Sequence, residues 1–223
     1  MTLPTLRIRT SICANQTHRD VIACVEGGAD AVGVLVQVRH RAEDAVDLAT
    51  AAELLLRVPP YVGRYAVTHA TTVDEILDLA QLPIDTIQLH GDVDPAVIPA
   101  LRGAAPHIRL LKAIHVVDDR DTPASEPWSS LVDGLVLDSV NYTENRIGGT
   151  GLTHDWSVSA GIVKESRIPV ILAGGIRPEN VGEAVRTVRP WGVNVNSGVE
   201  RNGAKILDLV EGFVRSANAD INR

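Results

Sequence analysis

Only two cysteines occur in the chain, Cys13 and Cys24, so one small loop is the most a disulfide could close, and a disulfide-built scaffold is excluded. Aromatics are nearly as scarce, one Phe, three Trp and three Tyr, which is too few for a platform that stacks nucleic-acid bases. Long apolar runs are missing: no window approaches the roughly eighteen consecutive apolar residues that a membrane helix needs. The stretch Met1 to Arg9 likewise lacks the apolar centre of a signal peptide. The formal charge is −7 with no block of like charge, so the basic footprint of a nucleic-acid binder is absent as well. These absences leave a water-soluble protein suited to a reducing, cytoplasmic compartment, with neither nucleic acid nor membrane as its partner.

What is present is an ordinary globular composition, 45% hydrophobic and 22% charged over 223 residues. Val- and Ile-rich runs recur with turn signals after them, each followed by a stretch of helical spacing. The candidate strands are Arg7 to Ile12, Ala31 to Val36, Tyr61 to Val67, Thr86 to Leu89, Ile108 to Ile114, Gly134 to Leu137, Pro169 to Ala173 and Gly192 to Val195. Near-continuous apolar character, as in Leu135-Val136-Leu137 and Val170-Ile171-Leu172, implies burial on both faces and hence a parallel sheet covered by helices. Eight such units at a period of about 28 residues predict a single-domain (β/α)8 barrel over residues 1–223. The rival is an open doubly wound sheet, but the first turn carries no dinucleotide-binding glycine fingerprint.

Helix starts are signalled by Thr17, by Thr72 and by Asp94 with Pro95 after it. Between Val117 and Ser130, Pro123, Pro127 and the charged run Asp118 to Asp121 predict a loop with at most a short helix. No linker divides the chain.

In a parallel barrel the loops after the strands form the catalytic face, so the residues just past each strand are the candidates for chemistry. Gly174-Gly175 after the seventh strand and Asn196-Ser197-Gly198 after the eighth read as glycine turns opening onto helix starts. Together they predict an anion site made of backbone N–H groups. Cys13 ends the first strand and Asp138 the sixth, which places a base and an acid on different parts of one rim. Partial desolvation would raise the aspartate toward the acid role. Cys24 lies mid-helix and reads as core. The long segment from Asn141 to Gly151, glycine-rich at its end, reads as a lid over the mouth. His69, His90 and His115 end three consecutive strands, which raises a metal site, although no paired His-x-His or carboxylate cluster supports one and rim histidines are the plainer reading.

Several segments carry a more specific signal. They are Ile12-Cys13 with Asp20 and Gly28 to Gly33; Gln88-Leu89-His90-Gly91; Leu137-Asp138-Ser139; Gly148 to Gly151 with Asp155-Trp156; Val170 to Gly175 with Pro178 to Val181; and Val195 to Glu200. In this order and spacing the chain resembles the phosphoribosylanthranilate isomerase family, barrel enzymes of tryptophan biosynthesis. The resemblance implies an Amadori rearrangement of a phosphoribosylated aromatic amine, with no metal and no cofactor. It puts the general acid on Asp138 and the general base on Cys13. It implies Gln88 and His90 beside the substrate, with Gly149, Gly174, Gly175, Asn196, Ser197 and Gly198 around the phosphate. Whether such a barrel is a monomer or a homodimer is left open.

The chain also departs from the family pattern. Ser11 and Ala14 stand where the family has Lys and Gly on either side of Ile-Cys. Asn194 and Asn196 replace the aspartate and first serine of Val-Asp-Val-Ser-Ser-Gly. The Lys-Ser-Pro-Arg segment, whose arginine holds the anthranilate carboxylate, is replaced by Gln37-Val38-Arg39-His40-Arg41, in which Arg41 is the nearest substitute and Arg39 the other. The expectation is therefore an isomerase of this kind. The alternatives are a relative that isomerises or cleaves a different phosphoribosylamine, a metal-assisted hydrolase on the three histidines, and a non-catalytic phosphosugar-binding barrel.

Overall fold

The computed structural model describes residues 7–39, 42–116, 125–141, 146–147 and 155–219. Eight parallel strands form the barrel: β1 (Arg9–Ile12), β2 (Ala31–Leu35), β3 (Gly63–Thr68), β4 (Thr86–Leu89), β5 (Arg109–Val116), β6 (Gly134–Asn141), β8 (Val170–Leu172) and β9 (Gly192–Val195). They pair in the order β1-β2-β3-β4-β5-β6-β8-β9, and β9 pairs back to β1, which closes the ring. The remaining strands are short: β7 (Arg146–Ile147) folds back on β6, and β10 (Glu200–Arg201) pairs with β11 (Ala204–Lys205). All eight expected strands are found, seven of them within two residues of their expected ends, while β6 runs four residues past the expected Leu137 to Asn141.

The helices are α1 (His18–Glu26), α2 (Leu48–Leu55), α3 (Val73–Leu79), α4 (Ile98–Ala104), α5 (Trp156–Glu165), α6 (Val181–Val188) and α7 (Leu207–Asn218). Thr17 caps α1 and Thr72 caps α3, each in a reciprocal box with the carboxylate three residues on, Asp20 and Glu75. Asp94 accepts from Ala96 N and caps a short 3-10 turn, Pro95–Val97, that leads into α4. Such caps contribute about 1 kcal/mol each. Of the expected loop from Val117 to Ser130, residues 117–124 lie outside the described ones; the rest hold a 3-10 turn at 125–128, which contains Pro127, and no α-helix. No helix among the described residues is long and apolar enough to cross a membrane.

One detail of the closure was not legible in the sequence. Asp30, Asp85 and Asp133, just ahead of β2, β4 and β6, accept from the backbone N–H of Thr10, Arg64 and Leu110 on the preceding strands, at 2.9, 2.9 and 2.8 Å. Each satisfies an N–H that would otherwise be orphaned at the barrel's lower rim.

The main core lies between strands and helices, and its largest fully buried side chain is Phe213 of α7. The interior of the barrel is divided. Leu111, Ala113, Val136, Ile171 and Ala173 pack into an apolar half. Ser11, Tyr65, Gln88 and Asn194 bring polar groups to the other side, and a cavity of about 590 Å³ between them and Leu111, Val136 and Ile171 opens toward the strands' N-terminal ends. Gly33 makes room for this arrangement, since a Cβ there would fall 2.3 Å from the Tyr65 ring.

Candidate active site

Parallel strands deliver their C-terminal ends to one face, and alternation along each strand aims every second side chain inward. Cys13, His69, His90, His115 and Asp138 all arrive at that mouth. Asp138 is 7% exposed; its Oδ2 lies 3.1 Å from His90 Nε2, and its Oδ1 accepts from Ser139 N at 2.8 Å. Burial alone pushes the Asp138 carboxyl up. The hydrogen bond from His90, the positive charge of His90 and His115 when protonated and the Ser139 N–H together outweigh it, so the group titrates below the usual carboxylate range. The sequence expectation that desolvation would raise it fails, because that expectation counted burial and not the partners burial brought with it.

The three histidines do gather. Ring centroids are 5.3 Å apart for His69 and His90, and 4.8 Å for His90 and His115. Among the described residues, however, no group of three or more His, Cys, Asp or Glu is arranged to hold a metal ion. The ring nitrogens face other partners instead: His69 Nδ1 accepts from Arg39 N at 2.9 Å, and His90 is held between Asp138 and His115.

On the opposite rim the Cys13 thiol donates to Asn194 Oδ1 at 3.4 Å and to Val195 O at 3.7 Å. Asn194 spends its amide hydrogens on Ser11 Oγ at 2.9 Å and Tyr65 Oη at 2.6 Å, which fixes its oxygen toward the sulfur. The turn after Cys13 is pinned by Asn15, fully buried, whose Nδ2 donates to Ile12 O and Gly33 O at 3.0 and 2.8 Å and whose Oδ1 accepts from Cys24. Cys24 is core, as expected; burial pushes its thiol up to about 12.

The glycine loops also lie at this face. Gly174 and Gly175 have φ of +81° and +62°, and a Cβ on Gly174 would meet Ser139 N at 2.7 Å. A Cβ on Gly198 would lie 2.3 Å from Ile176 O, so the two loops touch backbone to backbone. Asn180 holds the first loop from behind, donating to Gly175 O and accepting from Arg177 N. After β9 the chain enters a three-residue 3-10 turn, Ser197–Val199, and α7 starts only at Leu207, so the helix start expected immediately after Gly198 is not there.

Asn196 points its side chain into the scaffold: its Nδ2 donates to Asp44, and its Oδ1 accepts from Lys205 at 2.6 Å. Gln88 sits one layer deeper than His90, inside the barrel cavity. Arg41, Gly149 and eight of the eleven residues of the expected lid lie outside the described residues.

Sequence reasoning missed two lysines. Lys205 is buried behind the β9 loop and pairs with Glu200. Lys112 donates to Leu89 O, Gly91 O and Ala113 O and so clamps the turn that carries His90; burial pushes its ammonium down to about 8. Both follow from tertiary packing, and no local pattern marks them.

Comparison with known proteins bears on this arrangement. The family model for N-(5'-phosphoribosyl)anthranilate isomerase matches residues 10–216. The chain belongs to that family. It is 38% identical over 215 residues to N-(5'-phosphoribosyl)anthranilate isomerase 2 of Methanosarcina mazei, covering 96% of this chain and 95% of the relative. To the Haloarcula marismortui isomerase it is 39% identical, over 94% of this chain and 95% of the relative. Among solved structures, phosphoribosylanthranilate isomerase from Thermotoga maritima superposes with a TM-score of 0.81 at 31% identity, over 94% of this chain and 98% of that one. A second isomerase structure, bound to reduced 1-(o-carboxyphenylamino)-1-deoxyribulose 5-phosphate, superposes at 0.77 with 30% identity over the same shares.

Two departures from the family pattern gain a physical reading. Ser11 and Asn194 are register partners on β1 and β9 and bond to each other, so a neutral pair stands where the pattern puts a lysine and an aspartate. Ala14, in place of the family glycine, adopts φ +58°, the left-handed conformation that glycine enters without strain.

Proposed function

We propose that this chain catalyses the Amadori rearrangement of phosphoribosylanthranilate, with Asp138 as acid and Cys13 as base. Asp138 gives a proton to the furanose ring oxygen, the C1–O bond breaks toward that oxygen, and the amine nitrogen is left as an imine. Cys13, as thiolate, takes the hydrogen from C2, and the electron pair moves into C1–C2 to form an enolamine. C1 then takes a proton while the C2 hydroxyl loses one, which leaves the ketone. Each proton transfer of this type contributes about 10²- to 10⁴-fold. The glycine loops at Gly174-Gly175 and Ser197-Gly198 present backbone to the substrate phosphate, with Lys205 and Asn180 bracing them.

The observation that carries this reading is the meeting of a held thiol and a His90-bonded carboxylate at one barrel mouth, in a chain of this family. In the free enzyme Asp138 titrates low and the thiol hydrogen is bonded to Asn194 Oδ1. The anionic groups of an arriving substrate raise the acid's affinity for its proton. The test is conversion of phosphoribosylanthranilate by the purified chain in the presence of EDTA. Turnover is expected, with Cys13→Ser and Asp138→Asn each lowering kcat/KM by at least about 100-fold. Full turnover in either variant would refute its assigned role.

A further inference from the structure

The acid and base account leaves His115 without a part. It stands on β5 as the register partner of Asp138 on β6, half-buried at the mouth. His115 Nε2 lies 3.4 Å from His90 Nδ1, and the far side of that ring, Nε2, lies 3.1 Å from Asp138 Oδ2. A carboxylate only accepts, so the nitrogen facing it must carry the hydrogen. A neutral imidazole has one N–H, which leaves His90 Nδ1 bare and in need of a donor. His115 Nε2 is placed to be that donor.

We propose that His115 is a positioning residue: by donating to His90 Nδ1 it holds His90 in its Nε2–H tautomer and aims that N–H at Asp138. The proposal rests on the reading of Asp138 as the acid. Four titratable groups face His115: His90 from the end of β4, Asp138 from β6, His69 from the end of β3 and Lys112 from its own strand. Burial, with His90 next, pushes the His115 ring down to about 3, so it stays neutral at working pH and offers a single N–H.

Loss of this donor has a defined consequence. His90 becomes free to carry its hydrogen at Nδ1 and to turn a bare Nε2 toward Asp138. Two lone pairs then face each other, and the N–H that stabilised the carboxylate is gone. The carboxyl titrates at higher pH and loses the partner that aims it at the substrate. Phe at position 115 keeps the volume and removes the donor, whereas Gln keeps an N–H.

The experiment is NMR of histidine-¹⁵N-labelled full chain at pH 8, with Asp138 carboxyl carbon titration and steady-state kinetics, for wild type, His115→Phe and His115→Gln. In wild type His90 should carry its hydrogen at Nε2 alone. In His115→Phe an Nδ1–H population should appear, the Asp138 midpoint should move up by about one pH unit, and kcat should fall about tenfold, the scale of one hydrogen bond, with KM within about twofold. His115→Gln should restore all three toward wild type. A wild-type His90 protonated at Nδ1 would overturn the proposal even if His115→Phe failed to fold. So would a folded His115→Phe with wild-type tautomer and kcat. Full activity in Asp138→Asn would instead sink the acid reading by itself, while the His90 tautomer would still decide the claim about His115.

Discussion

Replacing Asn194 by Asp puts a carboxylate where an amide oxygen now accepts the Cys13 thiol hydrogen at 3.4 Å. Shape is preserved, and the Ser11 and Tyr65 hydroxyls that receive the Asn194 amide hydrogens can turn to donate to the new carboxylate. At an effective dielectric of about 20, two unit charges at that separation repel by roughly 5 kcal/mol, and the open mouth screens part of this. At about 1.4 kcal/mol per unit, ionisation of the thiol should move up by about one to three pH units. The assay is the pH dependence of iodoacetamide alkylation. Cys24 does not interfere, because it is fully buried and its thiol sits near 12. The alkylation midpoint of Cys13 should rise by at least about one unit, and kcat/KM at neutral pH should fall at least about tenfold. Adding Ser11→Lys, which supplies a cation at the register partner of position 194, should recover part of the loss. An alkylation profile in Asn194→Asp identical to wild type would refute the claim that this side chain governs the base.

Other consequences are open to direct measurement. Ala14→Gly should relieve the left-handed strain at φ +58° and raise unfolding stability by up to about 1 kcal/mol, read as a higher Tm. Gly198→Ala would drive a methyl to 2.3 Å from Ile176 O, so the two glycine loops must separate; KM should rise several-fold and inhibition by inorganic phosphate should weaken, with kcat less affected. His115 binds its proton far more weakly folded, at about 3, than unfolded, near 6.5, so its contribution to stability is complete above about pH 6.5 and is lost as pH falls toward 3. By pH 5 that loss amounts to about 2 kcal/mol, and thermal unfolding of His115→Gln should show a correspondingly flatter pH dependence.

The barrel was legible because its physics is local. Val- and Ile-rich strands and Thr17, Thr72 and Asp94 as caps are each written within a few residues, and the structure realises them; of the proline-broken stretch before β6, the described residues 125–130 hold no α-helix. The positions of Cys13 and Asp138 were legible for the same reason, since the C-terminal ends of parallel barrel strands meet at the mouth, although Asp138 lies within β6 and does not end it as expected. What escaped reading depends on neighbours distant in sequence. Asn194 reaches Cys13, Ser11 and Tyr65 only because β9 closes against β1. Asp138 titrates low against its burial chiefly because His90, 48 positions earlier, meets it. The three histidines suggested a metal until their ring nitrogens were seen facing Arg39, Asp138 and each other. Asp20, part of the family pattern, turns out to cap α1 and to hold Lys205 N, which is structural work that motif matching alone does not distinguish from chemistry.

The claim on which the rest depends is that one sugar phosphate is held between Cys13 and Asp138. A crystal structure of the chain with the reduced product analogue bound would test it most directly. The account predicts the Cys13 sulfur against C2, an Asp138 oxygen within hydrogen-bond distance of the oxygen that leaves the ring, and the phosphate on the backbone of Gly174, Gly175 and Gly198. An analogue bound with its C2 turned away from Cys13, or its phosphate seated elsewhere, would contradict it.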